Sequence, residues 1–191
     1  GFNGSALQFR TQAESFSKVE AFVPNGIWTA PPTSFRVWSR DGRILDYAPI
    51  SATRVTIDPA HGTSVTSSTA VAVWVLRTVH DRSGNFMTYE YESATDIATN
   101  GLEYRPTKIS YTSSDADPFA SPPRFVQLVY EDRLGLDTPF SFHAGVRTEV
   151  GQRLRSIELH APPSPGAVPA MAWHYDLSYT VSDSTFRTLL K

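Results

Sequence analysis

Val71-Ala72-Val73-Trp74-Val75-Leu76-Arg77-Thr78-Val79-His80-Asp81-Arg82-Ser83-Gly84-Asn85-Phe86-Met87-Thr88-Tyr89-Glu90-Tyr91 is the stretch whose reading decides the fold. Its first half is β-branched and aromatic, which suits a pleated, half-buried surface better than a helix. Asp81 to Asn85 then supplies turn chemistry. An Asp carboxylate can accept from the backbone two residues on, and Gly84 can take the positive φ that closes a short hairpin. The second half alternates again, with Met87, Tyr89 and Tyr91 on one face and Thr88, Glu90 and Glu92 on the other. The spacing predicts two long strands and a tight reversal.

The same grammar recurs outward from this hairpin. Phe35 to Arg40 and Arg43 to Tyr47 flank Asp41-Gly42, a strong short-range hairpin signal. Ala6 to Thr11, Ser51 to Ile57, Arg105 to Thr112, Arg124 to Tyr130 and Arg153 to Leu159 read as further strands. Glu14 to Phe22 is ambiguous, because Phe16, Val19 and Phe22 also fit a helix face, but its surroundings favour a strand. Trp173 to Thr180 reads as a final strand with aromatics at alternate positions. The expected connections are a turn at Pro24-Asn25-Gly26 and loops at Asp58 to Thr69, Ser93 to Gly101, Ser113 to Pro123, Glu131 to Val146 and Pro162 to Pro169. The fourteen prolines are expected between strands and rarely inside them. No segment holds a helical period over two turns. The expectation is an all-β, mostly antiparallel sheet of successive hairpins, either a sandwich or a segment of a larger shell.

Composition narrows the function classes. The 191 residues are 40% apolar and 19% charged, ordinary values for a globular chain. A net charge of −2 supplies no basic stripe for a phosphate backbone, which argues against nucleic acid. No apolar run approaches the ~20 residues of a helical membrane span. Without cysteine there are no disulfides, zinc thiolates or thiol nucleophiles. Gly1-Phe2-Asn3-Gly4-Ser5 leads straight into alternating sequence, so the expectation is one domain over 1–191, excised from a longer protein.

The order of motifs resembles the SpvB-type (virulence plasmid B) domain of insecticidal toxin complex B components and Rhs/YD-repeat proteins. The resemblance rests on Phe35-x-Val37, Asp41-Gly42-x-Ile44, Tyr47, Trp74-Val75-Leu76, Asp81-Arg82-x-Gly84-Asn85 and Tyr89-x-Tyr91. It continues through Ile109-x-Tyr111, Val126-x-Leu128-x-Tyr130-Glu131-Asp132-Arg133, Gly145, Arg153-Leu154-x-x-Ile157 and Tyr175-x-Leu177-x-Tyr179. It departs at Tyr47-Ala48, where the family often has Tyr-Gly. The resemblance implies a scaffold without an enzymatic site or cofactor, secreted, and part of a β-sheet shell around a toxic cargo. The implied partners are the remaining domains of its parent, a β-propeller and an Rhs shell, and a pore-forming subunit.

Two other function classes have candidate residues. Arg54, Ser67-Ser68-Thr69 and Glu90-x-Glu92 follow the order used by ADP-ribosyltransferases of the arginine-serine-glutamate class. Yet Ser67 to Thr69 falls in an expected loop, and the two acids suit the solvated face of a strand. Trp28, Trp38, Trp74 and Trp173 could form a carbohydrate platform, although large aromatics ordinarily build β cores. His61, His80, His143, His160 and His174 lack metal-ligand spacing, and Asp115-x-Asp117 lacks the rest of a calcium loop. The expected key residues are therefore architectural: Asp41, Gly42, Asp81, Gly84 and Asn85 in turns, and Trp74, Tyr89, Tyr91, Tyr130, Trp173 and Tyr175 in packing. Arg153 is expected to pair with Glu131 or Asp132. Gly84→Val should cost about 1–3 kcal/mol through strain at positive φ; an unchanged melting temperature would misplace the turn.

Overall fold

A computed structural model describes residues 6–10, 17–24, 31–57, 65–116, 124–133 and 137–191. Phe16, Asn25, Gly26, Trp28, His61 and Asp117 lie outside them, as do most of the loops expected at Asp58 to Thr69 and Ser113 to Pro123. The described residues contain no α-helix. In chain order the strands are β1 (Ala6–Phe9), β2 (Lys18–Phe22), β3 (Ser34–Trp38), β4 (Ile44–Ile57), β5 (Val65–His80), β6 (Asn85–Thr95) and β7 (Leu102–Ser114). Then come β8 (Arg124–Asp132), β9 (Phe140–His143), β10 (Val146–Glu149), β11 (Gln152–Ala161), β12 (Ala170–Asp176), β13 (Tyr179–Val181) and β14 (Thr188–Leu190). One twelve-stranded sheet runs β1 through β8 in order, then β11 and β12. The β9–β10 hairpin joins it off this path, and β13–β14 form a separate pair.

The central hairpin forms and then splays. β5 and β6 pair only beside their turn, at Thr78↔Thr88, Val79↔Met87 and His80↔Phe86. Beyond that point β5 follows β4 as far as Ile57↔Val65, and β6 follows β7 as far as Thr95↔Leu102. β10 spans the gap, pairing with β4 at Val146↔Arg54 and with β7 at Thr148↔Leu102. The ring β4-β5-β6-β7-β10 is thereby closed into a small barrel. Register shifts at Asp46/Tyr47 and Ile50/Ser51 put extra residues into β5, and shifts at Phe86/Thr88 and Glu90/Tyr91 put them into β7. Such bulges bend and twist a strand, as tight closure requires. The enclosed core is Ile50, Ala52, Val75, Leu102 and Val146, with Ala72, Val73 and Tyr91 packed against it.

Several sequence expectations need correcting. Ile44 to Ile57 is one strand, not two, and it runs through Pro49. Pro106 likewise sits inside β7. Both prolines lie beside a register shift, where the ladder is already interrupted. Val65 to Thr69 is strand, because β4 supplies a partner along its whole length. β6 continues to Thr95, which shortens the expected loop before β7. The expected connection from Glu131 to Val146 contains the end of β8 and the hairpin strand β9, with β10 following. The final aromatic strand breaks at Leu177-Ser178, so Tyr179 belongs to another sheet than Trp173 and Tyr175.

The β9–β10 turn is Ala144-Gly145, with φ of 48° and 83°. It abuts β4: Val55 donates its N–H to the Gly145 carbonyl at 2.9 Å. A Cβ at Gly145 would stand 2.6 Å from the Val55 carbonyl oxygen, a backbone atom that cannot step aside. Gly145→Ala combines that clash with a left-handed φ and should cost roughly 2–3 kcal/mol. Chemical denaturation would measure it; a variant as stable as the parent chain would show that barrel closure does not depend on this approach.

Candidate functional site

Beyond the barrel, β7, β8, β11 and β12 extend as a wing whose two faces differ in character. Register aligns Tyr89, Ile109, Val126, Leu159 and Trp173 across five adjacent strands. A parallel row, Leu128, Ile157 and Tyr175, lies two residues along on the same face. The opposite face carries Glu90, Lys108, Gln127, Glu158 and His174 in corresponding register. The apolar rows are half-buried by their own neighbours until they reach the edge, where Trp173 is 60% and Tyr175 52% exposed. The chain exposes 12801 Å², against roughly 9,000 Å² for a compact monomer of its mass. Trp173 and Tyr175 thus end the two apolar rows as an exposed aromatic pair on the last strand of the wing.

The turn residues stand at hairpin tips. Asp41 Oδ1 accepts the Arg43 N–H at 3.2 Å, and Ser39 and Arg43 side chains also bind the carboxylate. Asp81 Oδ1 accepts the N–H groups of Ser83 at 2.8 Å and Asn85 at 2.9 Å, while Oδ2 takes the Asn85 amide at 2.8 Å. Gly84 has φ 79°. Of the aromatics, Trp74 meets Phe35 edge-on at 4.6 Å. The Arg77 guanidinium lies 5.6 Å from the Tyr91 ring. Tyr130 donates its hydroxyl to the Pro106 carbonyl at 2.8 Å, beneath Arg105. Burial pushes the Tyr91 and Tyr130 phenols up. Trp173 and Tyr175 touch each other at 6.5 Å and otherwise face solvent. Arg153 Nε binds Glu131 Oε1 at 2.7 Å, with its guanidinium over the Tyr179 ring at 4.3 Å.

Among the described residues, Arg54 and the acids Glu90 and Glu92 have separate partners. Arg54 lies across from Ser68 on β5 and Val146 on β10, and Ser67 stands exposed beside this pair. Glu90 and Glu92 are held separately by β7, by Lys108 at 3.3 Å and Arg105 at 2.9 Å. Among the described residues, no group of three or more His, Cys, Asp or Glu side chains converges as a metal would require. His80 stacks on Phe86 at 5.1 Å and faces Asp115 at 3.7 Å; His143 ends β9; His160 and His174 flank Glu158. Trp38 is covered by the Lys18 ammonium at 4.4 Å, so Trp173 is the most exposed of the three described tryptophans.

At the barrel mouth a polar cavity of about 360 Å³ is lined by Asp96, Gly101, Glu103, Glu149 and Gly151, among others. Its acids are internally satisfied. Glu149 accepts from Thr99 and from Arg147 at 3.1 Å, and Glu103 accepts the Gln152 N–H at 2.9 Å. The Nε atoms of Arg105 and Arg147 are buried without a hydrogen-bond partner. Both guanidinium groups instead lie over aromatic rings, Tyr130 at 5.3 Å and Phe140 at 4.2 Å.

Sequence reasoning passed over Asp137, which is 4% exposed. Its Oδ2 accepts from the Thr188 N–H at 2.9 Å, the Thr188 hydroxyl and Arg133 at 2.8 Å, tying the C-terminal β13–β14 hairpin to the sheet. An Asp four residues after an Arg in an irregular segment is the only local signal, and Thr188 is too distant in sequence to announce itself.

The chain is a twisted, mostly antiparallel sheet with a small closed barrel and a long wing. The sequence matches no family model and no curated protein. The fold is shared with the N-terminal domain of the effector SpvB from Salmonella typhimurium strain LT2, at TM-score 0.65 and 14% identity over 97% of this chain and 67% of that one. It is shared with a Tc holotoxin pore of Photorhabdus luminescens, at TM-score 0.61 and 13% identity over 97% of this chain and 11% of that one. A TcdB2-TccC3-Cdc42 structure gives TM-score 0.58 and 13% identity over the same shares. The chain thus spans about a tenth of those toxin chains. The resemblance read from the sequence holds at the level of fold.

Hydrogen bonds from Thr188, then from Arg133, hold the Asp137 carboxyl below its usual range. Bonds from Ser39 and Arg43 do the same for Asp41, and bonds from Asn85 for Asp81. Each is protonated more readily in the unfolded chain. Their stabilisation is therefore present above the ordinary carboxylate pKa of about 4 and is lost as pH falls through the lower folded values. Urea midpoints should fall between pH 5 and pH 3, and Asp137→Asn should flatten part of that decline. An unaltered slope in the variant would remove Asp137 from the account.

Proposed function

We propose that this chain is a non-enzymatic wall segment of a toxin-complex component of SpvB/Rhs-like type, contributing to a β-sheet shell that encloses or delivers a toxic cargo. The observation that carries the reading is the continuous apolar face of a single-layer wing, in a fold that recurs within much longer toxin chains. Such a face has no use on an isolated globule. In a shell it is covered by adjoining layers, or turned toward an enclosed polypeptide whose own apolar residues it can meet without chemical specificity. The ion pairing of Glu90 with Lys108 and of Glu92 with Arg105 supports a wall over a transferase. The partners on this reading are the remaining domains of the parent, a β-propeller and an Rhs shell, together with a pore-forming subunit. The site of action is extracellular.

A glycan-binding module is the second reading. Its one favouring observation is the exposed Trp173 beside Tyr175.

Protease protection tests the shell reading. In the full-length parent, the cargo region should resist added protease, and deletion of this segment should make it cleavable while the rest of the chain stays soluble. Cargo equally protected with and without the segment would overturn the proposal. A glycan-array signal lost in Trp173→Ala would move the assignment to the second reading.

A further inference from the structure

Three features meet at the edge strand β12: main-chain groups without a ladder partner, the ends of the apolar rows, and negative charge. Among the described residues β12 pairs with β11 alone. Leu177 donates its N–H to the Arg155 carbonyl at 2.9 Å, just beyond the Ser156↔Asp176 pair. In an antiparallel ladder a residue's N–H and C=O point to the same side, and that side alternates along the strand. Leu177, Tyr175 and Trp173 therefore address β11, whereas Asp176 and His174 aim their main-chain groups outward. One face of this edge presents Trp173 and Tyr175. The other presents Glu158 and Asp176, with His174 Nε2 2.8 Å from Asp176 Oδ1 and His160 Nε2 3.1 Å from Glu158 Oε2. The Asp176 side chain is 77% exposed. Glu158 and Asp176 give this end of the face two carboxylates.

Edge strands ordinarily carry lysine, proline or a short length to discourage pairing. β12 has seven residues and contains neither lysine nor proline; its one irregularity is the bulge beside Leu159/His160. The opposite edge, β1, has four residues.

We propose that β12 accepts an added β-strand: an extended segment of the parent polypeptide with apolar side chains on the Trp173 and Tyr175 face and cationic side chains on the Asp176 face. Main-chain hydrogen bonds to His174 and Asp176 would hold it, and the alternation of its side chains would select it. The inference rests on the shell reading for the source of the strand. Charge argues against a second copy as occupant, because two β12 edges paired antiparallel would set Glu158 and Asp176 of both copies on the same face.

The test uses the chain with a fluorescein-labelled, end-capped (Lys-Val)4 peptide and a (Glu-Val)4 control. The cationic peptide should bind at least tenfold more tightly, and hydrogen exchange should slow at the His174 and Asp176 amides. His174→Pro removes one outward N–H while sparing the bonds to β11, and should weaken binding at least tenfold. Asp176→Lys should narrow or reverse the preference between the two peptides, which keeps the test decisive if the proline variant unfolds. Equal binding of both peptides, or protection at β1 in place of β12, would overturn the proposal. So would self-association abolished by Asp176→Lys, which would assign the edge to a second copy. The peptides report on the edge without the parent, so failure here leaves the protease-protection result standing, and the reverse also holds.

Discussion

The contact between Gly145 and Val55 decides whether this sheet closes. Without it, β4 and β7 would be distant strands of an open meander, separated by a hairpin that pairs only near its turn. A short β10 suffices as the bridge because its two partners need only single register points, Val146↔Arg54 and Thr148↔Leu102. The approach must nevertheless be close. Only a residue without a Cβ lets the β9–β10 turn lie against the Val55 carbonyl. Closure then buries Leu102 and Val146 together with Ile50, Ala52 and Val75 from β4 and β5. These residues lie far apart in sequence, so the core is a consequence of the bridge as much as its cause.

Closure at one end leaves the other end open. A five-strand barrel gathers most of the buried apolar side chains among the described residues, and β8, β11 and β12 continue the sheet beyond it. Each strand added to a single layer gains cross-strand contacts and ladder hydrogen bonds but covers only the flank of its neighbour. Its apolar face remains half wet. The wing is held by local pairs such as Arg153–Glu131 and by the Asp137–Thr188 clasp, interactions that fix geometry without excluding water from the rows above.

What could be read from sequence follows the range of the interactions. Asp41-Gly42 and Asp81 to Asn85 were legible because the carboxylates bond backbone two to four residues on. The strands flanking them were legible because alternation is local. Ala144-Gly145 was not, since alanine at a φ of 48° carries no turn signature and its partner lies some ninety residues upstream. Pro49 suggested a boundary between strands, and only the register shifts imposed by β5 explain why β4 continues through it. The break at Leu177-Ser178 was hidden for the opposite reason. Local alternation runs through it, while tertiary contacts take Trp173 and Tyr179 to different sheets.

The carboxylates on β6 show why a face is not yet a site. Glu90 and Glu92 do share a side of one strand, as alternation requires, and Arg54 does precede a run of hydroxyl residues. A catalytic arrangement, though, needs groups from different elements to converge on one point, whereas a sheet distributes its side chains over a plane. Here each acid meets the cation directly across the ladder or one step along it, Lys108 for Glu90 and Arg105 for Glu92. Paired across the ladder at largely exposed positions, they stabilise modestly. The same geometry that makes strand faces easy to read from alternation also makes spurious constellations common, and the ladder partner is what distinguishes the two.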